Sequence, residues 1–288
     1  MKTITWLEST HGDPELHELW EFLAQQVEVL AAGRAKTQLR HVSVAAGGIR
    51  TPANRLMSDA AILASSLNMQ MESDAVVIGC WGAPTEAVRS ALSVPVTSLP
   101  DASIRAVGSL ARRAVVVTVA PSLAPIFTDD LVRLGASGFL HDRPVRAYDP
   151  ESTHEDVLPA ISDPADLIHR FDKAAEEAVR DGADAIVVGC GYLAPIFTAH
   201  GYESVLKHPD VPVLDCNRLA FEHALQLLAL DTAGIRPTQR GYVRPVGARE
   251  DLLAEAAGRL ANPSTPKTKR RSPRLGPAAA PGIAKGEQ

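Results

Sequence analysis

Asp74-Ala75-Val76-Val77-Ile78-Gly79-Cys80 recurs 110 positions later as Asp184-Ala185-Ile186-Val187-Val188-Gly189-Cys190. Each copy is an apolar, largely β-branched run opened by Asp-Ala and closed by Gly. It has no polar alternation that would leave one face to water, which predicts a strand buried on both faces, hence a parallel sheet between helices. Each thiol then falls at the carboxyl end of its strand, the edge at which parallel α/β sheets bind ligands. A duplicated unit that faces itself brings two equivalent thiols to one cleft, with one sulfur on each side of a small substrate.

Outward from the repeat, strand and helix patterns alternate. Strands are expected at Thr3 to Leu7, Leu39 to Val44, Val94 to Val96, Ala114 to Val119 and Val211 to Leu214. Helices are expected at Pro14 to Ala32, Ala53 to Asn68, Pro84 to Leu92, Ala102 to Arg112, Leu123 to Leu134, Pro164 to Arg180, Leu193 to Leu206 and Arg218 to Leu230. Strand followed by helix is the signature of parallel sheets. The stretch Gly138 to Ser162, with Pro144, Pro150 and Pro159, is less regular and is read as a strand and a loop. Val-Pro-Val recurs at Val94 and Val211, so each half runs strand, cysteine, helix, Val-Pro-Val strand. The expected division is a first α/β lobe of residues 1–100 plus 210–236, a second of 101–209, a peripheral segment of 237–261 with a surface helix at Arg249 to Leu260, and a disordered basic tail of 262–288.

The 288 residues are 45% hydrophobic and 22% charged, an ordinary globular mixture long enough for two cores. The formal charge of −5 hides an asymmetry: from Asn262 onward six basic residues stand against Glu287, which leaves −10 for the body. An acidic body argues against broad nucleic-acid binding. Lys267-Thr268-Lys269-Arg270-Arg271 reads as part of a solvated tail, with attachment to an acidic partner as the alternative. The opening residues lack the apolar run of a signal peptide and no stretch is apolar enough to cross a membrane, so a soluble, cytoplasmic protein is expected. Three cysteines are too few and too odd in number for a disulfide framework.

The two cysteine loops, Cys80-Trp81-Gly82-Ala83-Pro84-Thr85 and Cys190-Gly191-Tyr192-Leu193-Ala194-Pro195, each lead from a strand into a helix. A helix amino terminus offers free N–H groups that bind an anion and lower a thiol's pKa. With two such loops facing each other, one sulfur removes a proton from a carbon next to a carbonyl and the other returns one from the opposite face. The bland reading of a cysteine after a buried strand is a small core residue; its recurrence at a duplicated position favours chemistry. Cys216 has no counterpart and is read as packing. Trp81 and Tyr192 are read either as pocket walls or as covers of the sheet edge. His11, His200 and His208 lack metal-ligand spacing, so no metal is assigned. Neither a Gly-x-Gly-x-x-Gly nor a Gly-Lys-Ser/Thr loop is present, which argues against a nucleotide cofactor.

These segments resemble the aspartate/glutamate/hydantoin racemase superfamily, and its hydantoin racemase-like members above all. The resemblance rests on Asp74 to Pro84, on Ala183 to Gly191 and on Val211-Pro212-Val213-Leu214-Asp215. It implies two Rossmann-like lobes with parallel sheets related by a pseudo-twofold axis, an active site in the cleft between them, and cofactor-independent isomerase chemistry. It further implies Cys80 and Cys190 as the acid/base pair, substrate contacts from Trp81, Gly82, Gly191 and Tyr192, a small-molecule substrate such as a hydantoin or amino acid, and a homo-oligomer. Val115-Val116-Val117-Thr118 resembles a family strand ending in a substrate-holding threonine, which adds Thr118 and Ser122 as binding candidates. The chain departs from the pattern at Glu8-Ser9-Thr10-His11-Gly12, where an Asn-Pro-Asn type loop is expected, at Ala83 and at Tyr192. Alternatives to a racemase or epimerase are maleate-type cis–trans isomerisation, arylmalonate-type decarboxylation, and a non-catalytic small-molecule-binding protein.

Overall fold

The computed structural model describes residues 1–237 apart from 46, 47 and 70, together with 255 and 259. Both copies of the repeat are strands with every residue buried, β3 (Ala75–Ile78) and β7 (Ala185–Val188). Each lies inside its own sheet. In the first sheet β1 (Thr3–Glu8) runs parallel to β2 (Lys36–His41) on one side and to β3 on the other, and β4 (Val96–Ser98) pairs parallel outside β3. In the second, β5 (Ala114–Thr118) lies between β6 (Leu140–Ala147) and β7, and β9 (His208–Leu214) pairs parallel outside β7. The orders β2-β1-β3-β4 and β6-β5-β7-β9 coincide when β1 is matched to β5 and β3 to β7, so the duplication read from seven residues extends to four strands in each half.

The opening aspartates of the repeat have equivalent work. Asp74 accepts the Thr3 amide at 2.8 Å and Asp184 accepts the Arg112 and Arg113 amides at 2.9 and 2.8 Å. Each carboxylate thus satisfies backbone donors where the neighbouring central strand begins, donors that otherwise have no ladder partner.

Parallel strands require crossovers, and here these are helices. The first sheet carries α1 (His17–Ala31), entered through a 3-10 turn at Pro14–Leu16, then α2 (Pro52–Met69) and α3 (Thr85–Ala91). α4 (Leu99–Leu110) connects the halves. The second sheet carries α5 (Leu123–Arg133), α6 (His154–Ala160), α7 (Ala165–Arg180) and α8 (Leu193–Ala199). The pleat splits the first sheet between two cores. Leu7, Val76 and Ile78 join a cluster under α2 and α3, whereas Ile4, Trp6 and Val77 join the main cluster, which continues through β5, β7 and the helices of the second half. Each fully buried Val or Ile contributes on the order of 1.5–3 kcal/mol, so the repeat strands are anchoring elements in their own right.

Three features differ from the sequence reading. The helix expected over Leu193 to Leu206 ends at Ala199: Gly201 adopts a left-handed φ of 75° and the Tyr202 amide turns back to the Phe197 carbonyl at 2.9 Å. A short strand, β8 (Ser204–Val205), follows and pairs antiparallel with β9, which gives the second sheet a non-parallel edge. β9 belongs to that sheet, so of the stretch 210–236 expected with the first lobe, the part up to Leu214 stands in the second. α9 (Cys216–Thr232) then crosses back and packs on β3, β4, α1 and α4. Among the described residues, no helix is long and apolar enough to cross a membrane. The expected tail of 262–288 lies outside the described residues; of the expected helix at 249–260, Glu255 and Arg259 are described and are helical.

Candidate active site

Pairing continues one residue past each repeat strand, with Gly79 N–H donating to Leu7 O at 2.9 Å and Gly189 N–H to Val117 O at 2.8 Å. Cys80 and Cys190 are therefore the first residues beyond the sheet edge, each half-buried. The two loops touch. Trp81 Nε1 donates to Val188 O at 3.0 Å, across the halves, and a Cβ on Gly191 would lie 3.0 Å from Gly79 O. Gly191 is thus required by the close approach of one cysteine loop to the other. Asn217, at the start of α9, holds that loop by donating Nδ2 to Gly191 O at 2.8 Å.

A buried carboxyl group stands with the thiols. Glu8 is 1% exposed at the end of β1, accepting Trp6 Nε1 at 2.6 Å and Tyr192 OH at 3.0 Å. Burial pushes its pKa up to about 7, against the pull of both hydrogen bonds. The same burial raises Cys80, opposed by the Ser9 side chain and the Gly82 amide, and raises Cys190 to about 11, opposed by the Leu193 and Tyr192 amides. The helix-entry amides expected to lower the thiol pKa values are in place, yet desolvation outweighs them; both thiols are neutral at pH 7. The negative charge of Glu8 adds to the rise at each sulfur.

The sequence candidates divide by position. Trp81, Gly82, Gly191 and Tyr192 gather on the two loops with the cysteines. Trp81 is 3% exposed, its ring 5.8 Å from Phe127. Gly82 lies beneath Ile49, whose Cδ1 would be 2.2 Å from an added Cβ, so the segment after β2 closes over the first loop. Thr118 is fully buried and donates its hydroxyl to Gly189 O at 3.4 Å, which supports the second loop from below. Ser122 is exposed at the start of α5, outside this set of contacts. Cys216 is fully buried, its sulfur 3.8 Å from Cys190 O.

Further residues frame the site. Tyr192 packs 5.7 Å from Trp20 and 5.2 Å from His154, and Trp20 packs 4.9 Å from His41. Burial lowers the pKa of both histidines below the ordinary value. Tyr148, following β6, is buried with its hydroxyl bonded to Ser152. Glu8 was not among the sequence candidates, although it is the lone charge of its strand; Leu7 pairs with Ile78 as Val117 pairs with Val188, so Glu8 occupies in the first half the position of Thr118 in the second. Of the aromatic wall, Tyr192 was a sequence candidate; Trp20, His41, Tyr148 and His154 left no sequence signal, because they come from three other, separate segments. Among the described residues no group of three or more His, Cys, Asp or Glu side chains is arranged to hold a metal ion.

The fold is similar to that of solved racemases. An allantoin racemase from Pseudomonas fluorescens superimposes with a TM-score of 0.71 at 22% identity, covering 85% of this chain and 97% of that one. An allantoin racemase from Klebsiella pneumoniae gives 0.67 at 19% identity, covering 86% and 95%. A glutamate racemase from Bacillus anthracis gives 0.54 at 16%, covering 82% and 84%. Comparison with curated protein sequences returns no match. A family model described as Asp/Glu/Hydantoin racemase matches residues 22–225, well over half of the chain, and the chain therefore belongs to the Asp/Glu/hydantoin racemase family, a family of isomerases.

Proposed function

We propose that the protein is a cofactor-independent racemase or epimerase in which Cys80 and Cys190 act as acid and base on a carbon next to a carbonyl. The observation that carries this reading is the equivalence of the two thiols, each two residues past a duplicated strand, with Trp81 of the first loop bonded to Val188 at the end of the second of those strands. One sulfur, as thiolate, takes the α-proton and the C–H electron pair moves onto the carbonyl oxygen. The other, as thiol, delivers its proton to the opposite face, the carbonyl re-forms, and the centre is inverted. Substrate of the other hand reverses the two roles. One negative charge on the pair is sufficient, and Glu8 governs how readily it forms: once protonated, it no longer opposes a thiolate beside it.

The surroundings favour a neutral ring over a carboxylate substrate. Arg55 is engaged by Asp59 and Asp130, and Arg50 by Glu151 and the Ser152 carbonyl. His41 and His154, with lowered pKa values, are neutral at pH 7. An amino acid or a malonate would bring a carboxylate to a cleft with no uncommitted cation among these residues. A 5-substituted hydantoin brings none, and the solved neighbours titled allantoin racemases agree with a substrate of that kind.

Incubation in D₂O with single-enantiomer hydantoins, amino acids and substituted malonates, followed by proton NMR and optical rotation, tests the reading. Exchange with loss of rotation is expected for the hydantoins, falling at least ~100-fold in Cys80→Ser and in Cys190→Ser. Full activity in either variant sinks the two-base mechanism, and turnover of the carboxylates alone sinks the substrate class. Because both thiols titrate high, kcat/KM on the accepted substrate rises with pH above 7, approaching about tenfold per unit; a profile flat from pH 7 to 9 contradicts the raised thiol pKa values.

A further inference from the structure

We propose that a polar pocket along the outer edge of the second sheet binds a small phosphate monoester, at a site separate from the two thiols. β6 ends that sheet, and between it, the start of α5 and the last turns of α7 lies a cavity of about 450 Å³. That volume falls in the range of roughly 300–1,000 Å³ found for small-molecule sites. Three guanidinium groups line it, Arg143 and Arg146 from β6 and Arg180 from the end of α7. None of the lining residues belongs to a cysteine loop.

The local fold builds this cluster. Ala114 pairs with Leu140 and Val116 with Val145, so the four residues His141 to Pro144 of β6 stand opposite Val115 alone. A bulge at a sheet edge re-aims side chains, and this one carries Arg143. It is pinned in place. The Arg143 amide donates to His141 Nδ1 at 2.9 Å, which leaves Nε2 of the buried His141 ring to donate to Asp181 O at 3.0 Å. The bulge is thereby fixed to the residue that follows α7 and Arg180.

Arg146 supplies the observation that points to a ligand. Its side chain is 7% exposed and Nη2 donates to Asp181 Oδ2 at 2.8 Å, yet Nε is buried with no acceptor among the described residues. A buried N–H of a charged group without an acceptor is unfavourable, and native structures pair such groups. Arg143 and Arg180 are exposed, and neither enters an ion pair among the described residues. The carboxylates of the pocket are Asp181 and Glu177, so the guanidinium groups outnumber them. The bond from Arg146 holds the Asp181 carboxyl below the usual carboxylate range, and the charge of Arg143 adds to the pull. Three guanidinium groups around one space match the three oxygens of a phosphate better than the two of a carboxylate. Pro121, Ala124, Val145 and Ala174 give the organic part of the ligand an apolar wall. Bound there, the ligand ties α7 to β6, the strand that leads into Tyr148 beside the catalytic cleft.

The test adds glycerol 3-phosphate or inorganic phosphate to the full chain and follows the ³¹P signal of the probe and the ¹H–¹⁵N signal of Arg146 Nε by NMR. Both probes should bind saturably, one per chain at millimolar concentration, with glycerol 3-phosphate the tighter, and the Arg146 Nε–H signal should shift in step with occupancy. Arg143→Gln and Arg180→Gln should each weaken binding at least ~10-fold. Arg146→Gln should abolish it; because that variant also loses the bond to Asp181, the two exposed arginines carry the test if it fails to fold. The double variant Cys80→Ser/Cys190→Ser should bind as the parent does. A response linear in concentration, an Arg146 Nε–H signal that stays put, or unchanged affinity in Arg143→Gln and Arg180→Gln would overturn the proposal. Loss of binding in the cysteine variant would place the probe at the catalytic cleft and overturn it as well. Tighter binding of malonate than of either phosphate would overturn the assignment of the ligand as a phosphate.

Discussion

At Glu8 a carboxyl group is buried between an indole and a phenol, and its titration is tied to stability. The native pKa of about 7 stands above the ordinary 4.5, so between those values the folded state holds a proton that the unfolded chain has lost. The stability linked to that proton is complete below about pH 4.5 and is lost as pH rises through 7, an effect of roughly 3 kcal/mol. Glu8→Gln keeps the shape and removes the titration. The stability difference between the variant and the parent, from urea unfolding at pH 4.5 and pH 8, should change by that amount in favour of the variant at the higher pH; a difference independent of pH would mean that Glu8 is ionised normally. In the sequence Glu8 stood out only as the first residue of a loop that departs from the family pattern. Its partner was not legible, because Tyr192 lies 184 residues away and meets it only when the two lobes close. Two departures from the family pattern, Glu8 and Tyr192, thus prove to be bonded to each other.

At the scale of elements, the glycines that end the repeat strands show why the motif is duplicated. A Cβ on Gly189 would lie 2.9 Å from Val117 O and 2.8 Å from Val116 Cγ1; on Gly79 it would lie 2.1 Å from Glu8 Oε1 and 2.3 Å from Trp6 Nε1. The obstacle at Gly189 includes backbone of the central strand, which cannot swing aside. Gly189→Ala should lower stability by about 1–3 kcal/mol, read as a drop in the urea midpoint; an unchanged midpoint would show that β5 and β7 separate easily. Repeat strands of this kind are readable because both faces are buried and the pattern is apolar throughout. β6 was harder to read, since it lies at the sheet edge, where His141, Asp142, Arg143 and Pro144 are tolerated because one side needs no ladder bonds. The β8–β9 hairpin was missed for another reason: the apolar residues of Leu193 to Leu206 suit a helix until Gly201 reverses the chain.

For the molecule as a whole, the lobes are fastened on the side of α2 and α5. Arg55 on α2 donates to both oxygens of Asp130 on α5, at 2.9 and 3.3 Å, and to Asp59 at 3.0 Å, and both Arg55 and Asp130 are only 15% exposed. Removing one partner leaves the other charge half-buried and unmatched. Arg55→Ala and Asp130→Ala should each destabilise the protein, and a double-mutant cycle by urea unfolding should return a coupling of about 1–3 kcal/mol; additive effects would show that the lobes are held by the shared core alone.

The sequence by itself determined the α/β class, the duplication, and two thiols at equivalent strand ends, because burial on both faces and strand period are written in neighbouring residues. Only the tertiary structure decided where the chain returns to the first lobe, how Glu8 meets Tyr192, and that both thiols are held neutral. Those outcomes depend on desolvation and on contacts between residues far apart in the chain, and no local pattern encodes either.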